Sequence, residues 1–218
     1  MTARIVPDDA AGRAEAVDVL RSGGVVALPT DTVYGIAVDL ATPGGVERLF
    51  AAKRRPPDKG IMLLLAAASQ AELVGHIGPA ARALAAAFWP GGLTLVVVQR
   101  PDVDLPAALT GGSRTVGVRL PDHPTPRALA AAVGPIPTTS ANRSGRPEGR
   151  DAADILDQIG DAIDLVLDGG PAHGGPASTV VDLTGDRPRI LRAGAVAPAA
   201  VAAVLSAAGV PFDPADRD

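Results

Sequence analysis

Short apolar runs that suit buried strands alternate with helical patterns along nearly the whole chain. The strand patterns are rich in Val, Ile and Leu and fall at Val25–Leu28, Ile61–Leu65, Leu93–Gln99, Thr115–Leu120, Ile136–Ser140, Ile163–Leu167, Ser178–Leu183 and Arg189–Leu191. The helical patterns fall at Ala11–Leu20, Gly44–Ala52, Pro79–Phe88, Pro126–Val133, Ala152–Ile159 and Ala199–Ala207. This interleaving predicts an α/β fold, and the consecutive strands near the C-terminus predict a mixed sheet.

The composition sets the size of the fold and the nature of its core. A chain of 218 residues is long enough for one domain with a sizeable core. Hydrophobic residues make up 47% and aromatic residues only 2%, so the core must consist of Ala, Val, Leu and Ile. We predict a single catalytic domain over residues 1–208 and a C-terminal tail over 209–218.

Several classes of protein are disfavoured. A net charge of −4 argues against a protein held mainly by nucleic-acid phosphates. The absence of cysteine excludes disulfides, thiolate zinc sites and cysteine nucleophiles. The three histidines lack metal-ligand spacing, so no metal site is predicted. Without a signal core or a membrane-length apolar run, a soluble cytoplasmic protein is expected.

The two lysines of the chain lie in one short segment. Lys53 and Lys59 are the first and last residues of the sequence KRRPPDK, whereas every other Lys or Arg position of the chain is arginine. Lysine provides a compact point charge of the kind that binds phosphate. Two prolines stiffen the segment and reduce the entropy lost on binding. The segment is therefore a candidate phosphate site.

Polar residues follow two of the predicted strands. Pro29–Gly35 (PTDTVYG) comes after Val25–Leu28, and ligands of open α/β sheets bind beyond the carboxyl ends of strands. An ordinary Asx turn capping a helix would explain the same residues. Arg119 ends the strand from Thr115 and could bind a carboxylate through two N–H groups, although a surface salt bridge is an equally common role.

Three further clusters extend this pattern. Pro137–Gly145 is dense in hydroxyl and amide side chains, Ser178 opens a strand after a glycine-rich stretch, and Arg192 ends another strand. Each cluster alone could be a simple loop. Together they describe a polyanion-binding cleft assembled from several strand ends.

Seven short motifs occur in an order that resembles the YrdC family of threonylcarbamoyl-AMP synthases. The similarity runs from about residue 12 to about residue 205. The motifs are Pro29–Gly35, Lys53-x-Arg55-Pro56, Trp89–Thr94, Val118–Pro121, Thr139–Asn142 with Ser144-Gly145, Ser178–Asp182 and Arg192-x-Gly194. The resemblance implies a twisted, open mixed sheet with flanking helices and a large concave cleft.

The resemblance also implies a reaction. L-Threonine, bicarbonate and ATP give threonylcarbamoyl-AMP and pyrophosphate, and Mg²⁺ binds with the ATP. A partner transferase complex then places the threonylcarbamoyl group on tRNA, which makes a tRNA contact conceivable. No membrane partner is implied, and the length matches the short, single-domain form of the family.

Site residues follow by matching motifs. L-Threonine would be held by Thr32, Arg119, Ser140 and Ser178. ATP would be held by Lys53, Arg55, Lys59, Thr115, Asn142, Arg150 and Arg192, with Lys53 and Arg55 as the catalytic residues. Many relatives carry a histidine where this chain has Leu64, so a threonine contact from that position would be absent or replaced.

Two other functions are consistent with the same fold. The first is an RNA-binding paralogue without synthase activity, which the acidic charge and the scarcity of aromatic stacking platforms disfavour. The second is a carbamoyl-transfer module like the related domain of hydrogenase maturation proteins, which normally lies within a much longer chain. Threonine-dependent pyrophosphate release separates the synthase from the RNA-binding alternative, and the transfer module would use carbamoyl phosphate.

Overall fold

The computed structural model describes residues 2–54, 60–172 and 174–212, and in these ranges ten strands form one sheet. The strands are β1 (Arg4–Pro7), β2 (Val26–Leu28), β3 (Gly35–Ala37), β4 (Met62–Leu64), β5 (Leu93–Val98), β6 (Thr115–Arg119), β7 (Ile136–Ser140), β8 (Leu165–Asp168), β9 (Thr179–Asp182) and β10 (Arg189–Arg192). The helices are α1 (Ala10–Arg21), α2 (Gly45–Lys53), α3 (Ala71–Val74), α4 (Pro79–Phe88), α5 (Ala107–Thr110), α6 (Pro124–Val133), α7 (Ala152–Ile159) and α8 (Pro198–Ala207).

The sheet is mixed, as the sequence predicted. Its strand order is β1-β8-β2-β3-β7-β4-β6-β5-β9-β10. The pairs β1/β8, β2/β8, β4/β6 and β5/β9 are parallel, whereas β2/β3, β3/β7, β4/β7, β5/β6 and β9/β10 are antiparallel. The α/β class and the mixed sheet are confirmed.

Two strands escaped prediction. β1 lies at one edge of the sheet and pairs with β8 alone, and β3 directly follows the PTDTVYG segment. The segment therefore leads into a strand, so the interpretation as a turn capping a helix was wrong. Both strands have only three or four residues, and each pairs with a strand that is distant in sequence, β1 with β8 and β3 with β7.

Helix ends follow local chemistry. Asp9 caps α1, since its side chain accepts a hydrogen bond from the Gly12 amide at 2.8 Å. Gly23, at φ 83°, ends the same helix in the left-handed conformation that glycine adopts readily. His123 similarly accepts from the Thr125 amide at 3.2 Å, which starts α6 two residues before the predicted Pro126.

The core divides into two layers because strand residues alternate between the faces of the sheet. Leu63 and Leu65 face the larger layer, which packs against α2, α4, α7 and α8, and Leu64 faces the other. Aliphatic side chains dominate both layers. The buried Tyr34 is an aromatic exception.

The second face of the sheet is only partly covered. Its apolar layer is built from β2, β3, β4, β7 and β8 with α1 and α6, including Leu20 and Leu129. On β5, β6 and β9 the residues of this face line an open cavity instead. The packing of α1 and α6 over half of the face thus leaves the other half as a cleft.

Candidate active site

The cleft is a cavity of about 390 Å³ on the uncovered face of the sheet. Its floor consists of alternate residues of neighbouring strands, and loops at the strand ends form its rim. Six of the residues predicted for substrate binding line it, namely Thr32, Thr115, Arg119, Ser140, Ser178 and Arg192. Residues from several separate sequence clusters therefore meet at one cavity, whereas Lys53 and Asn142 are not among its lining residues.

Arg119, at the end of β6, is a deeply buried cation of the cleft, with 3% of its surface exposed. Its Nε donates to the Gly91 carbonyl at 2.9 Å, Nη1 to Thr32 Oγ1 at 3.2 Å and Nη2 to Asp31 Oδ1 at 2.7 Å. Burial lowers the pKa of Arg119, and the Asp31 carboxylate partly offsets this effect. A guanidinium has five N–H groups. Three of them donate in the contacts that the structure describes, so two remain for a ligand carboxylate.

The Gly91 carbonyl is positioned by a compact turn after α4. Within it, the Trp89 indole N–H donates to the Leu93 carbonyl at 2.7 Å. The Gly91 amide in turn donates to the Leu120 carbonyl at 2.9 Å. The turn is thus joined to the end of β6 at two points, one through the backbone and one through Arg119.

The loop between β2 and β3 is fixed by its own hydroxyl groups. Thr30 Oγ1 donates to the Val33 carbonyl at 2.6 Å and accepts from the Thr32 amide at 3.2 Å. The buried Tyr34 hydroxyl donates to the Gly170 carbonyl at 2.7 Å and accepts from the Gly169 amide at 3.0 Å. The loop is consequently held in place at both of its ends, with Thr32 facing the cavity.

A second hydroxyl cluster lies on β5, on β10 and at Ser178, the residue before β9. Thr94 Oγ1 and Ser178 Oγ are 2.8 Å apart, and Arg192 Nη2 donates to Ser178 Oγ at 3.0 Å. Arg192 Nε also donates to the Ser178 carbonyl at 3.0 Å. Burial lowers the pKa of Arg192, and the carboxylate of Glu148 acts in the opposite direction.

The approach of Arg192 to Ser178 depends on backbone geometry. The β9/β10 register shifts between Ile190 and Arg192, so Leu191 is a bulged residue, and both Leu191 and Arg192 line the cavity. A Cβ atom on Gly194 would lie only 2.1 Å from the Ala177 carbonyl oxygen. Glycine at this position therefore permits the close contact of the two segments.

A third cluster joins Lys53 to the end of β7. The Lys53 ammonium, at the last residue of α2, donates to the Ser140 carbonyl, to Ser140 Oγ at 3.3 Å and to Asn142 Oδ1 at 2.7 Å. Ser140 Oγ also donates to Asn142 Oδ1 at 2.7 Å. The Ser144 amide donates to the Lys53 carbonyl at 3.0 Å, which binds the following loop to the same helix end.

The family follows from comparison with known proteins. The model of the Sua5/YciO/YrdC family, described as telomere recombination, matches residues 18–194. The chain belongs to this family. A putative threonylcarbamoyl-AMP synthase of Mycobacterium tuberculosis is 42% identical over 89% of this chain and 89% of its own length.

Longer members of the Sua5/YciO/YrdC family are also similar. A threonylcarbamoyl-AMP synthase of Bacillus subtilis is 38% identical over 88% of this chain and 56% of its own length. The crystal structure of Pyrococcus abyssi Sua5 complexed with L-threonine has a TM-score of 0.86 at 33% identity and covers 98% of this chain. The present chain spans 62% of that structure.

The clusters mix residues that the family resemblance assigned to different substrates. Ser140, matched to L-threonine, contacts Lys53 and Asn142, which were matched to ATP. Ser178, matched to L-threonine, contacts Arg192, matched to ATP. Two substrates that react with each other must lie side by side. The residues that bind one substrate would then lie next to the residues that bind the other.

Other predicted residues lie apart from these clusters. Thr115 lines the cavity at the start of β6, where its hydroxyl lies 2.7 Å from Ser113 Oγ. The Arg150 side chain is 86% exposed and pairs with Asp154 at 3.4 Å, outside the cavity lining. Arg55, Lys59 and the end of the predicted tail, 213–218, lie outside the described residues.

Leu64, at the position where the resemblance predicts a histidine in many relatives, forms an apolar wall of the cavity. It lines the cavity, is 2% exposed and stands opposite Arg119 in the β4/β6 register. Its side chain packs with the layer that includes Leu129 and Ile136. This side of the Arg119 site therefore offers an apolar contact instead of a hydrogen bond.

Several residues of the site have no role that was predicted from the sequence. Asp31, Gly91 and Thr94 belong to quoted motifs, and each contacts a predicted residue. Their partners are far away in sequence, so the motifs carried the only signal. Glu148 lines the cavity without any local pattern that would have identified it.

The described residues contain no group of three or more His, Asp or Glu side chains that could hold a metal by themselves. Mg²⁺ bound with a nucleotide needs fewer protein ligands, since it is usually held by phosphates, waters and one or two carboxylates. Glu148 is a carboxylate in the cavity lining and fits this requirement.

None of the described helices combines the length and apolar character needed to span a bilayer.

Proposed function

We propose that this chain is a threonylcarbamoyl-AMP synthase. It joins L-threonine, bicarbonate and ATP to give threonylcarbamoyl-AMP and pyrophosphate. The observation that carries the proposal is Arg119, a buried guanidinium beside Thr32 in a cavity that also contains Ser178 and Arg192. Such a group is suited to a single small carboxylate, and P. abyssi Sua5 binds L-threonine in the same fold.

The polar clusters supply the two halves of the site. In this proposal Arg119 binds the threonine carboxylate, with Thr32, Ser140 and Ser178 providing hydroxyl contacts. Lys53, Asn142, Thr115 and Arg192 serve ATP, together with Arg55, Lys59 and Arg150. The buried charge of Lys53 would stabilise negative charge that develops on the phosphates.

The chemistry needs no protein nucleophile. The threonine amine combines with bicarbonate to form a carbamate and water, and a carbamate oxygen then attacks the α-phosphorus of ATP. The bond from that phosphorus to the bridging oxygen breaks, and pyrophosphate leaves. Phosphoryl and nucleotidyl transfers of this kind depend on positioning and charge stabilisation. Mg²⁺ held by the phosphates and Glu148 would neutralise phosphate charge.

The product defines the partner. A mixed anhydride of a carbamate and AMP is an activated acyl donor, so a transferase complex acting on tRNA would consume it. We assign the protein to the cytoplasm, where ATP and tRNA occur. Residues 1–208 would form the catalytic domain and 209–218 a tail, although Val210 and Phe212 pack against the main core.

The deciding experiment is an assay of pyrophosphate and threonylcarbamoyl-AMP with L-threonine, bicarbonate and ATP, omitting each in turn. All three should be required. Pyrophosphate release that does not depend on threonine would contradict the proposal. RNA binding at physiological salt without any such release would favour the RNA-binding alternative, and use of carbamoyl phosphate would favour the carbamoyl-transfer alternative.

A further inference from the structure

Gly117 leaves the centre of the cavity floor without a side chain. It lies in the middle of β6, where Thr115 and Arg119 also face the cavity while Val116 and Val118 face the core. In register, Gly117 stands between Met62 of β4 and Val96 of β5. Those two side chains also line the cavity, so an apolar gap is formed at this point.

The fold itself does not require glycine here. Gly117 is in a strand and is not among the glycines with positive φ. A Cβ atom on it would meet Met62 and Thr94 atoms at 3.6 Å, an ordinary contact distance. Gly35 differs, because its Cβ would lie 2.8 Å from Thr138 Cγ2. Glycine inside a strand lowers stability, and it often marks a place where a ligand approaches the backbone closely.

Gly117 also separates the polar clusters along the strands. Thr115 and Arg119 are each two residues away, about 7 Å at the rise of an extended strand. Thr138 of β7 stands level with Met62, which stands level with Gly117. Ser140 and its partner Lys53 therefore lie beyond this level on the Thr115 side, and Arg119 lies beyond it on the other.

We propose that the two substrates react above Gly117, whose missing side chain leaves room for the threonine carbamate to reach the α-phosphate of ATP. This inference rests on the proposed function and adds the position of the reacting atoms. There the carbamate oxygen bonds to phosphorus and pyrophosphate departs with the electron pair of the broken bond. The apolar side chains of Met62 and Val96 would limit hydrolysis of the mixed anhydride by water.

The test compares Gly117→Ala and Gly117→Val with the wild type. Ligands are L-threonine and the non-reacting α,β-methylene analogue of ATP, measured by calorimetry separately and together. Each ligand alone should bind Gly117→Val as it binds the wild type. With the analogue already bound, the affinity of Gly117→Val for L-threonine should fall at least about 10-fold. Synthesis should fall about 100-fold, with Gly117→Ala in between.

The control is Gly78→Val. Gly78 has extended backbone at φ −78° and ψ −179°, and no atom lies within 4 Å of its would-be Cβ. This variant should keep wild-type binding and synthesis. The melting temperature of the Gly117 variants should equal or exceed that of the wild type, because a strand gains from a side chain. Failure of both Gly117 variants to fold would overturn the inference.

Three outcomes separate the inference from the proposed function. Unchanged synthesis and joint binding by Gly117→Val, with an active wild type, would contradict only the inference. Loss of one ligand when it is tested alone would likewise overturn it and place Gly117 in that ligand's own site. A wild type that binds both ligands but releases no pyrophosphate would contradict the proposed function, whatever the variants do.

Discussion

Arg119 and Asp31 form an ion pair inside the cleft, with Nη2 2.7 Å from Oδ1 and side chains 4% and 14% exposed. Asp31 belongs to the loop between β2 and β3, and Arg119 ends β6, so the pair joins elements that are 88 positions apart in the chain. The carboxylate compensates a guanidinium that burial would otherwise leave poorly solvated. The same contact fixes the direction in which the remaining N–H groups of Arg119 point.

Asp31→Ala should therefore weaken both the fold and threonine binding. Removal of one partner leaves a buried charge without compensation, which should lower the free energy of unfolding by about 3 kcal/mol. The KM for L-threonine should rise because Arg119 loses its orientation. Urea denaturation and steady-state kinetics measure the two effects. Glu72→Ala is the matched control, since its pair with Arg82 is 57% and 63% exposed. Equal stability of the two variants would show that burial of the Asp31 pair does not matter.

Lys53→Met should abolish synthesis of threonylcarbamoyl-AMP while the protein still folds. Methionine keeps the apolar stem but removes the charge and the hydrogen bonds to Ser140 and Asn142. Those acceptors lose a partner, so the free energy of unfolding should fall by about 1–3 kcal/mol. Pyrophosphate release and urea denaturation are the measurements. Arg82→Met, at an exposed position, should change neither. Threonine-dependent pyrophosphate release at the wild-type rate by Lys53→Met would refute the role of the lysine.

Gly194→Ala should separate Arg192 from Ser178. The added Cβ would lie 2.1 Å from the Ala177 carbonyl oxygen, so the backbone must shift. Overpacking of this kind costs about 1–3 kcal/mol of stability, and the KM for ATP should rise as Arg192 moves. Gly78→Ala is the control, because no atom lies within 4 Å of the new methyl group. A wild-type KM for ATP in Gly194→Ala would show that the position of Arg192 is not needed.

Asp8 should make stability depend on acid pH. Burial raises the pKa of Asp8, but hydrogen bonds from Arg13 and Thr125 outweigh it, so the pKa in the folded protein is below its usual value. A lowered pKa contributes stability at pH values above the ordinary carboxyl pKa near 3.9, and this stability is lost as pH falls through the pKa of the folded state. Urea denaturation at a series of acid pH values should show that the free energy of unfolding of the wild type approaches that of Asp8→Asn as the pH falls below about 4. A difference that is constant with pH would contradict this linkage.

The sequence predicted elements whose patterns are local. Leu93–Val98 (LTLVVV) is rich in apolar and β-branched residues, and this pattern alone identifies a strand buried in a sheet. Gly35–Ala37 has only three residues and begins with glycine, so it is a strand because β2 and β7 pair with it. The pairing with β7 joins residues about 100 positions apart in the chain, such as Gly35 and Ser140. Residue patterns within one segment cannot show it.

The same distinction applies to the site. Lys53, Arg119 and Ser178 were identified because each lies in a short motif at the end of an element. The role of Asp31 as the partner of Arg119 was not predicted. The contact exists only in the folded protein, where the β2–β3 loop lies over β6. Gly117 has no side chain, so no chemical role could be predicted for it from the sequence. Its significance comes from the side chains of Met62 and Val96 on either side of it.

The turn after α4 has a practical consequence for measuring ligand binding. Trp89 is the only tryptophan of the chain, and the Gly91 carbonyl two residues later accepts a hydrogen bond from Arg119. A ligand that draws Arg119 towards the cavity would therefore change the surroundings of a single indole. Its intrinsic fluorescence would report the filling of the cleft in unlabelled, unmodified protein, with no second tryptophan to obscure the signal.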